Sequence, residues 1–227
     1  MKLILIIMLL LSPSKQVELI NLSLVTEHNS IFPDFENENF IQNIQINGKI
    51  VNISIENLSY FDINHNYRLF RNKKKLTLSS KRIRSVFEEL FSKDITLQYF
   101  LRNISFYLKD NIEYWENSPF LSPEEVILYK RTNCIGYSVF VKKILDLVDI
   151  RSEYASGFYI KRTAEKEFEP IPHRWLEIFL PGNTSFFYDP QYQGFKANYI
   201  FIKPGNNFRS IKKFKINSLK RGKKLIN

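Results

Sequence analysis

The spacing of apolar residues changes once along the 227-residue chain, and this change constrains the fold more than any other feature. Between residues 81 and 148 apolar side chains recur at helical intervals, as in the stripe from Leu97 to Leu108. After residue 150 they alternate with period two, in segments separated by turn residues such as Pro181-Gly182-Asn183. Helices followed by an antiparallel sheet predict an α+β domain, with the helices packed on the sheet.

The residues before these helices predict a small β-rich segment. In "NIQINGKIVNISIENL" apolar residues alternate on both sides of Asn47-Gly48, a pair that is typical of hairpin turns. The β-like pattern continues through "YRLF" and "KLTL" to about residue 80. We therefore divide the chain into a β-rich segment at 15–80 and a main domain at 81–203. The β-rich segment is expected to serve packing and to carry no chemistry of its own.

The first fourteen residues have the build of a secretory signal peptide. Lys2 supplies a positive charge, Leu3–Leu11 an apolar run, and Ser12-Pro13-Ser14 a site of small residues. The run is too short to span a bilayer, and no later segment has 18 uninterrupted apolar residues. We expect a secreted or periplasmic protein without a transmembrane segment. The alternative interpretation of this run is a buried helix or strand.

The other end of the chain is strongly basic. The formal net charge is +10, and from Arg209 onwards the sequence contains eight lysines or arginines and no acidic residue. We expect residues 204–227 to form a flexible basic tail with affinity for an anionic surface. A nucleic-acid partner is not expected, because no interleaving of basic and aromatic residues and no binding motif accompanies this charge.

Cys134 is the only cysteine, so the chain cannot form an internal disulfide. In an exported protein an odd cysteine indicates an intermolecular bridge, a working thiol or an inert buried thiol. Cys134 begins a predicted helix that runs to about Val148, with Thr132 or Asn133 as its cap. The free N–H groups and the positive dipole end of a helix favour the thiolate. Gly136 is expected to keep the surface small where a substrate approaches the sulfur.

A histidine and an aspartate follow on predicted strands. His173 begins "HRWLEIFL", in which His173, Trp175 and Glu177 project from one face, and the next strand ends at Asp189-Pro190. Adjacent antiparallel strands can bring Asp189 to His173, although the sequence does not fix the register. A strand histidine alone more often serves the core or the surface, and Asp-Pro usually marks a turn. Together with Cys134, they are the parts of a nucleophilic triad.

From "RTNCIGYSVF" through Gly157 to "HRWLEIFLPGNTSFFYDP", the sequence resembles the core of the transglutaminase-like superfamily. The resemblance covers roughly residues 95–203 and implies a papain-like fold. It further implies that Cys134 attacks an amide carbonyl, that His173 transfers the proton, and that Asp189 holds the imidazole tautomer. The chain departs from the family pattern at two positions. Thr132 stands where the family often has glycine, and Arg174 stands where it often has a small residue.

The resemblance also suggests roles for residues around the triad. The backbone N–H of Cys134 is a natural oxyanion donor, and Trp115 or Tyr114 is a candidate side-chain donor. Trp175 and Glu177 are expected to be structural, as an aromatic shield and a partnered carboxylate. No metal or other cofactor is expected, because one cysteine and scattered histidines do not make a ligand set.

These observations predict an exported cysteine acyltransferase or hydrolase that acts on amide bonds of a protein or peptide through a thioester. The alternative is a binding or assembly module that keeps the fold without turnover, but such a module has no need of all three triad residues. The sequence leaves open whether water or an amine accepts the acyl group, and it does not name the acyl donor.

Overall fold

The computed structural model describes residues 14–26, 32–58, 67–162, 168–192, 199–202 and 211–225. The helices are Lys73–Leu78 (α1), Lys81–Leu90 (α2), Leu97–Asn111 (α3), Pro123–Tyr129 (α4) and Cys134–Asp146 (α5). The strands before the helices are Ser14–Thr26 (β1), Phe35–Glu36 (β2), Phe40–Asn47 (β3) and Ile50–Leu58 (β4). The remaining strands are Glu113–Tyr114 (β5), Arg131–Thr132 (β6), Ser152–Arg162 (β7), Phe168–Phe179 (β8), Ser185–Tyr188 (β9), Tyr199–Ile202 (β10) and Ile211–Leu225 (β11).

Two antiparallel sheets organise the described residues. The first sheet has five strands in the order β11-β1-β4-β3-β2, and the second has four in the order β10-β7-β8-β9. A short parallel pair, β5 with β6, lies just before α5. The mixed helical and antiparallel architecture confirms the α+β class predicted from the change in apolar spacing.

Alternating side chains on the four-stranded sheet contribute to two separate cores. Leu176 and Ile178 pack with the apolar faces of the helices, while Trp175 and Phe187 pack with buried residues of β1 and β4. The four-stranded sheet therefore lies between the helices and the five-stranded sheet. The helices begin where the sequence provides caps, because side-chain oxygens accept N–H groups of their first turns; the caps of α2 to α5 are Ser80, Thr96, Ser122 and Asn133.

Two side-chain amides of the N-terminal segment bind the edge strands of the four-stranded sheet, one at β9 and one at β10. The Asn39 amide donates to the Phe187 carbonyl oxygen at 2.8 Å and accepts from the Phe187 N–H at 2.8 Å. The Gln42 amide donates to the Phe201 carbonyl oxygen at 2.9 Å and accepts from the Phe201 N–H at 2.8 Å. Each amide thus satisfies the pair of backbone groups that a neighbouring strand would satisfy, one on β9 and one on β10. Both amides are fully buried.

Two expectations for the segments before and after the main domain are wrong. Residues 73–78 form helix α1 and not a strand, because Asn72 caps the Lys75 N–H and favours a helical turn there. Residues 211–225 form strand β11 and not a flexible arm, with backbone pairing to β1 along its whole length. In that register the apolar positions Phe214 and Ile216 fall opposite residues of β1 that belong to the core.

Most of the predicted signal peptide, residues 1–13, lies outside the described residues, and Ser14 begins β1. Within the described part of the chain, no helix is long and apolar enough to cross a membrane.

Candidate active site

Cys134 is the first residue of α5, and its side chain is partly exposed. The preceding Asn133 caps the helix, since its side-chain oxygen accepts the N–H of Ile135 at 3.0 Å and the N–H of Gly136 at 3.3 Å. The same amide donates towards the carbonyl oxygens of Glu116 and Ser118, which fixes the loop before the helix. The N–H of Cys134 is not one of the two groups that this cap accepts. It remains suitable as a donor beside the thiol.

His173 lies on β8 and is bound to a buried carboxylate. Its Nε2 is 2.7 Å from Oδ2 of Asp189, which follows β9 and is fully buried. The pairing of β8 with β9 places Leu176 opposite Tyr188 and thereby brings the end of β9 to the imidazole. Oδ1 of Asp189 accepts the Gln191 N–H at 2.9 Å, so both carboxylate oxygens have donors.

The Cys134 thiol is a second neighbour of the His173 imidazole, close enough to contribute to its raised pKa. Because Nε2 is directed to Asp189, Nδ1 is the nitrogen left for the thiol. Burial lowers the pKa of His173, but the charge and hydrogen bond of Asp189 outweigh it, with a smaller contribution from Cys134. The net effect raises the pKa of His173 from 6.5 to about 9. At neutral pH the imidazole is therefore protonated and can serve as a proton donor in the site.

Tyrosines surround the imidazole and the approach to the thiol. The Tyr192 ring centroid is 5.7 Å from that of His173, and Tyr192 stacks on Tyr159 at 4.7 Å. Burial, followed by the nearby Tyr159 and Asp189, raises the pKa of Tyr192, and Cys134 is among the smaller causes. Burial, followed by Cys134, likewise raises the pKa of Tyr114. Tyr114 and Tyr192 therefore both lie within electrostatic range of the thiol, and both are partly open to solvent.

The two candidate oxyanion side chains occupy different surroundings. Tyr114 lies on β5 near Cys134, as its interaction with that residue indicates. The Trp115 ring carries the Arg131 guanidinium 4.6 Å above it and contacts Phe120 at 6.1 Å. Tyr114 is thus an electrostatic neighbour of the thiol, and Trp115 packs with Arg131 and Phe120.

Gly136 has a structural role inside the fold. It is buried, and a Cβ built on it would lie 1.8 Å from Oγ1 of Thr132 and 3.0 Å from the carbonyl oxygen of Phe120. Thr132 Oγ1 itself donates to that carbonyl oxygen at 2.6 Å. Gly136 therefore gives room to a buried hydrogen bond inside the fold, and its expected role near the substrate stays a prediction.

Trp175 and Glu177 support the sheet around the site. Trp175 is fully buried, lies alongside the His173 ring at 6.2 Å, and meets the Tyr199 ring edge-to-face at 5.2 Å. A Cβ on Gly157 would lie 2.8 Å from the Trp175 ring and 1.8 Å from the Ile200 carbonyl oxygen, so only glycine fits there. Burial raises the pKa of Glu177, whose carboxylate accepts the Ser185 hydroxyl at 2.5 Å.

Tyr199 contacts the site although sequence reasoning did not select it. Its hydroxyl donates to Oδ2 of Asp189, the oxygen that also binds His173. Tyr199 belongs to β10, which is separated from β8 by β7 in the sheet. The three side chains come from β8, from β10 and from the residue after β9, so no local pattern could have found this residue. Among the described residues, no group of three or more His, Cys, Asp or Glu side chains is arranged to hold a metal ion.

No family model and no curated protein matches the chain. Similar solved structures include a candidate cysteine protease from Cytophaga hutchinsonii, with 9% identity, TM-score 0.45, and 95% of this chain and 92% of that one covered. The periplasmic domain of TgpA from Pseudomonas aeruginosa matches at 10% identity and TM-score 0.42, over 81% of this chain and 88% of that one. A structure of a TGase matches at 14% identity and TM-score 0.39, over 75% of this chain and 46% of that one.

Proposed function

We propose that the protein is a cysteine-dependent acyltransferase or hydrolase that acts on amide bonds of a peptide or protein. The observation that carries this proposal is the environment of His173. On one side Nε2 binds the fully buried carboxylate of Asp189 at 2.7 Å, and on the other side the Cys134 thiol lies close enough to contribute to the raised pKa of the imidazole. A buried carboxylate that orients an imidazole against a partly exposed thiol is the arrangement that nucleophilic catalysis requires.

The reaction proceeds in two steps. The Cys134 thiolate attacks the carbonyl carbon of the amide, and the backbone N–H of Cys134 donates to the oxygen that becomes negative. The His173 imidazolium then gives its proton to the leaving amine, the C–N bond breaks and a thioester forms. In the second step water or a primary amine attacks the thioester while His173 takes its proton, and the Cys134 thiolate leaves. Asp189 keeps Nε2 protonated, so Nδ1 exchanges the proton in both steps.

The tyrosines near the thiol constrain how a substrate enters. Tyr114 and Tyr192 are partly exposed and both lie within electrostatic range of Cys134, so their flat, amphipathic rings are our candidates for the lining of the entrance. A peptide or protein side-chain carboxamide suits such an entrance because it is flat and uncharged. The apolar run Leu3–Leu11 and the small residues after it support export of the chain as part of the same proposal.

The decisive experiment compares the parent with Cys134→Ala and Cys134→Ser. A peptide with a glutamine or amide donor is offered with and without a primary amine, so that transfer and hydrolysis are measured separately. We expect the parent to release ammonia or amine and both variants to release none, while intact-mass spectrometry of the parent shows an acyl adduct on its single cysteine.

Circular dichroism of the three proteins confirms that each is folded. If a folded Cys134→Ala variant performs every measurable function of the parent, including binding to its native partner, the protein is a binding or assembly module and the proposal fails. If the parent forms no acyl adduct with any peptide amide while its thiol still reacts with iodoacetamide, the amide substrate class is wrong.

A further inference from the structure

Oδ2 of Asp189 accepts two hydrogen bonds from buried donors. One donor is His173 Nε2 at 2.7 Å and the other is the hydroxyl of Tyr199. Burial, and after it the charge of Asp189, raises the pKa of Tyr199 well above its usual value, so the phenol stays protonated and donates. The second oxygen of the carboxylate is held separately by the Gln191 N–H.

Two donors on one oxygen compete for its charge. When the imidazole is cationic, its N–H draws more of the charge on Oδ2 and the bond from Tyr199 weakens. When the imidazole is neutral, the Tyr199 bond strengthens. The Tyr199 hydroxyl therefore stabilises the form with neutral His173 more than the form with protonated His173.

We propose that Tyr199 is a positioning residue that shares Oδ2 of Asp189 with His173 and limits how tightly the carboxylate holds the proton-bearing imidazole. The inference rests on the proposed function, because the imidazole matters here as the group that transfers protons. An imidazolium bound to an unshared buried carboxylate would be a weaker acid and would give its proton to the leaving amine more slowly. Tyr199 keeps this proton transferable while Asp189 still orients the ring.

The position of the Tyr199 ring does not depend on its hydroxyl. The ring meets Trp175 edge-to-face at 5.2 Å, and the register of β10 on β7 pairs Tyr199 with Tyr159. Two residues along β10, the Gln42 amide binds both backbone groups of Phe201. Removal of the hydroxyl alone therefore leaves the ring, the strand and the other donors in place.

Other titratable groups face the imidazole and must be separated from the effect of Tyr199. They are Cys134 on α5, Tyr159 on β7, and Asp189 and Tyr192 in the segment after β9. The Cys134 thiol contributes to the raised pKa of His173, so the test is made in Cys134→Ala. The two tyrosines and the aspartate remain the same in all the proteins compared.

The test is an NMR titration of the His173 ring between pH 6 and 11 in Cys134→Ala, with the resonance identified by its loss in His173→Gln. Adding Tyr199→Phe should raise the titration midpoint of His173 by about 0.5–1 pH unit, because a hydrogen bond to a charged group is removed from the neutral-imidazole form. The matched control is Tyr188→Phe, since Tyr188 is fully buried next to Asp189 but its hydroxyl bonds Ser105 at 2.7 Å. The control should leave the midpoint unchanged.

A second variant covers the case in which Tyr199→Phe does not fold. Replacement of Tyr199 by 3-fluorotyrosine makes the phenol a stronger donor and should lower the midpoint. An unchanged or oppositely shifted midpoint, or an equal shift in Tyr188→Phe, overturns the inference. The titration requires no turnover, so a shift in an inactive parent would refute the proposed function and leave the competition for Asp189 intact.

With the cysteine restored, Tyr199→Phe should reduce kcat about 3- to 10-fold with little change in KM, because proton transfer to the leaving amine slows while substrate binding does not. Tyr188→Phe should keep the parent values. A change confined to KM would show that Tyr199 acts on substrate binding and would contradict the proposed role.

Discussion

The raised pKa of His173 makes the folding stability depend on pH. In the folded protein this pKa is about 9, against a reference value of 6.5. A raised folded-state pKa contributes stability that is fully present below the unfolded pKa and is lost as the pH rises through the folded one. The contribution of His173 should therefore be complete near pH 6 and absent above about pH 9.

The size of the effect follows from the same values. The interval between 6.5 and about 9, at about 1.4 kcal/mol per pH unit, corresponds to a loss of about 3 kcal/mol in the free energy of unfolding. Solvent screening takes little of this away, because the His173 side chain is only 5% exposed and its partner Asp189 is not exposed at all. The reference protein for the measurement is Cys134→Ser, whose hydroxyl does not ionise in this range. Asp189 is the larger source of the raised pKa, so we expect about 2–3 kcal/mol in that background.

The assay is urea unfolding at half-unit steps from pH 6 to 9.5, followed by far-UV circular dichroism and linear extrapolation. The upper limit avoids the range in which tyrosines of the unfolded chain ionise. The control is the same protein with His173→Gln, which should be less stable at pH 6 and should not show the decline that His173 causes. If both proteins lose the same stability between pH 6 and 9.5, the His173–Asp189 pair is not the source and the reasoning is refuted.

Three further predictions concern groups around the site. Gly136→Ala should destabilise the protein by about 2–4 kcal/mol in urea unfolding, because the new methyl group meets Oγ1 of Thr132, and adding Thr132→Ala should recover part of the loss. Additive losses in the double variant would contradict this reading. Deletion of residues 211–225 should lower the midpoint of thermal unfolding, since β1 loses its backbone pairing with β11 and keeps only β4 as a neighbour. An unchanged midpoint would indicate that the segment is a dispensable tail. Asp189→Asn should keep the fold by circular dichroism and reduce turnover by up to ~10⁴-fold, and full activity would remove Asp189 from the mechanism.

The predictable part of this molecule is the part that local chemistry determines. The stripe on α3, the capping residue Asn133 and the alternation around Trp175 depend on neighbours within a few positions, so the sequence indicated helix, cap and strand correctly. The expectation of a flexible basic tail was wrong because it also relied on local composition alone. Its lysines suggested solvent, while its apolar positions have a meaning only once β1 is known to lie alongside.

The parts of the candidate site that escaped prediction depend on contacts between distant segments. Gly136 faces the hydroxyl of Thr132 on β6 and the carbonyl oxygen of Phe120 in the segment before α4, and its spacing from Cys134 does not reveal this. Tyr199 on β10 reaches Asp189 although β7 and β8 lie between β10 and β9 in the sheet, and the sequence of a single strand does not reveal this contact. Sequence reasoning therefore proposed Cys134, His173 and Asp189 from their residue types and order, and it had no means of finding the tyrosine that joins them.

The two amides that bind the edge strands also bear on the order in which the protein assembles. Asn39 and Phe187 are 148 positions apart, and Gln42 and Phe201 are 159 positions apart. Contacts of such separation form slowly, because the intervening chain must first be ordered. Asp189 and Tyr199 each lie two residues from one of these anchors. During refolding, the fast alkylation of Cys134 that depends on a fully oriented His173 should thus appear only in the last kinetic phase, together with burial of the N-terminal strands. Until the N-terminal strands have packed against the four-stranded sheet, the chain would therefore carry Cys134 beside an incompletely oriented His173.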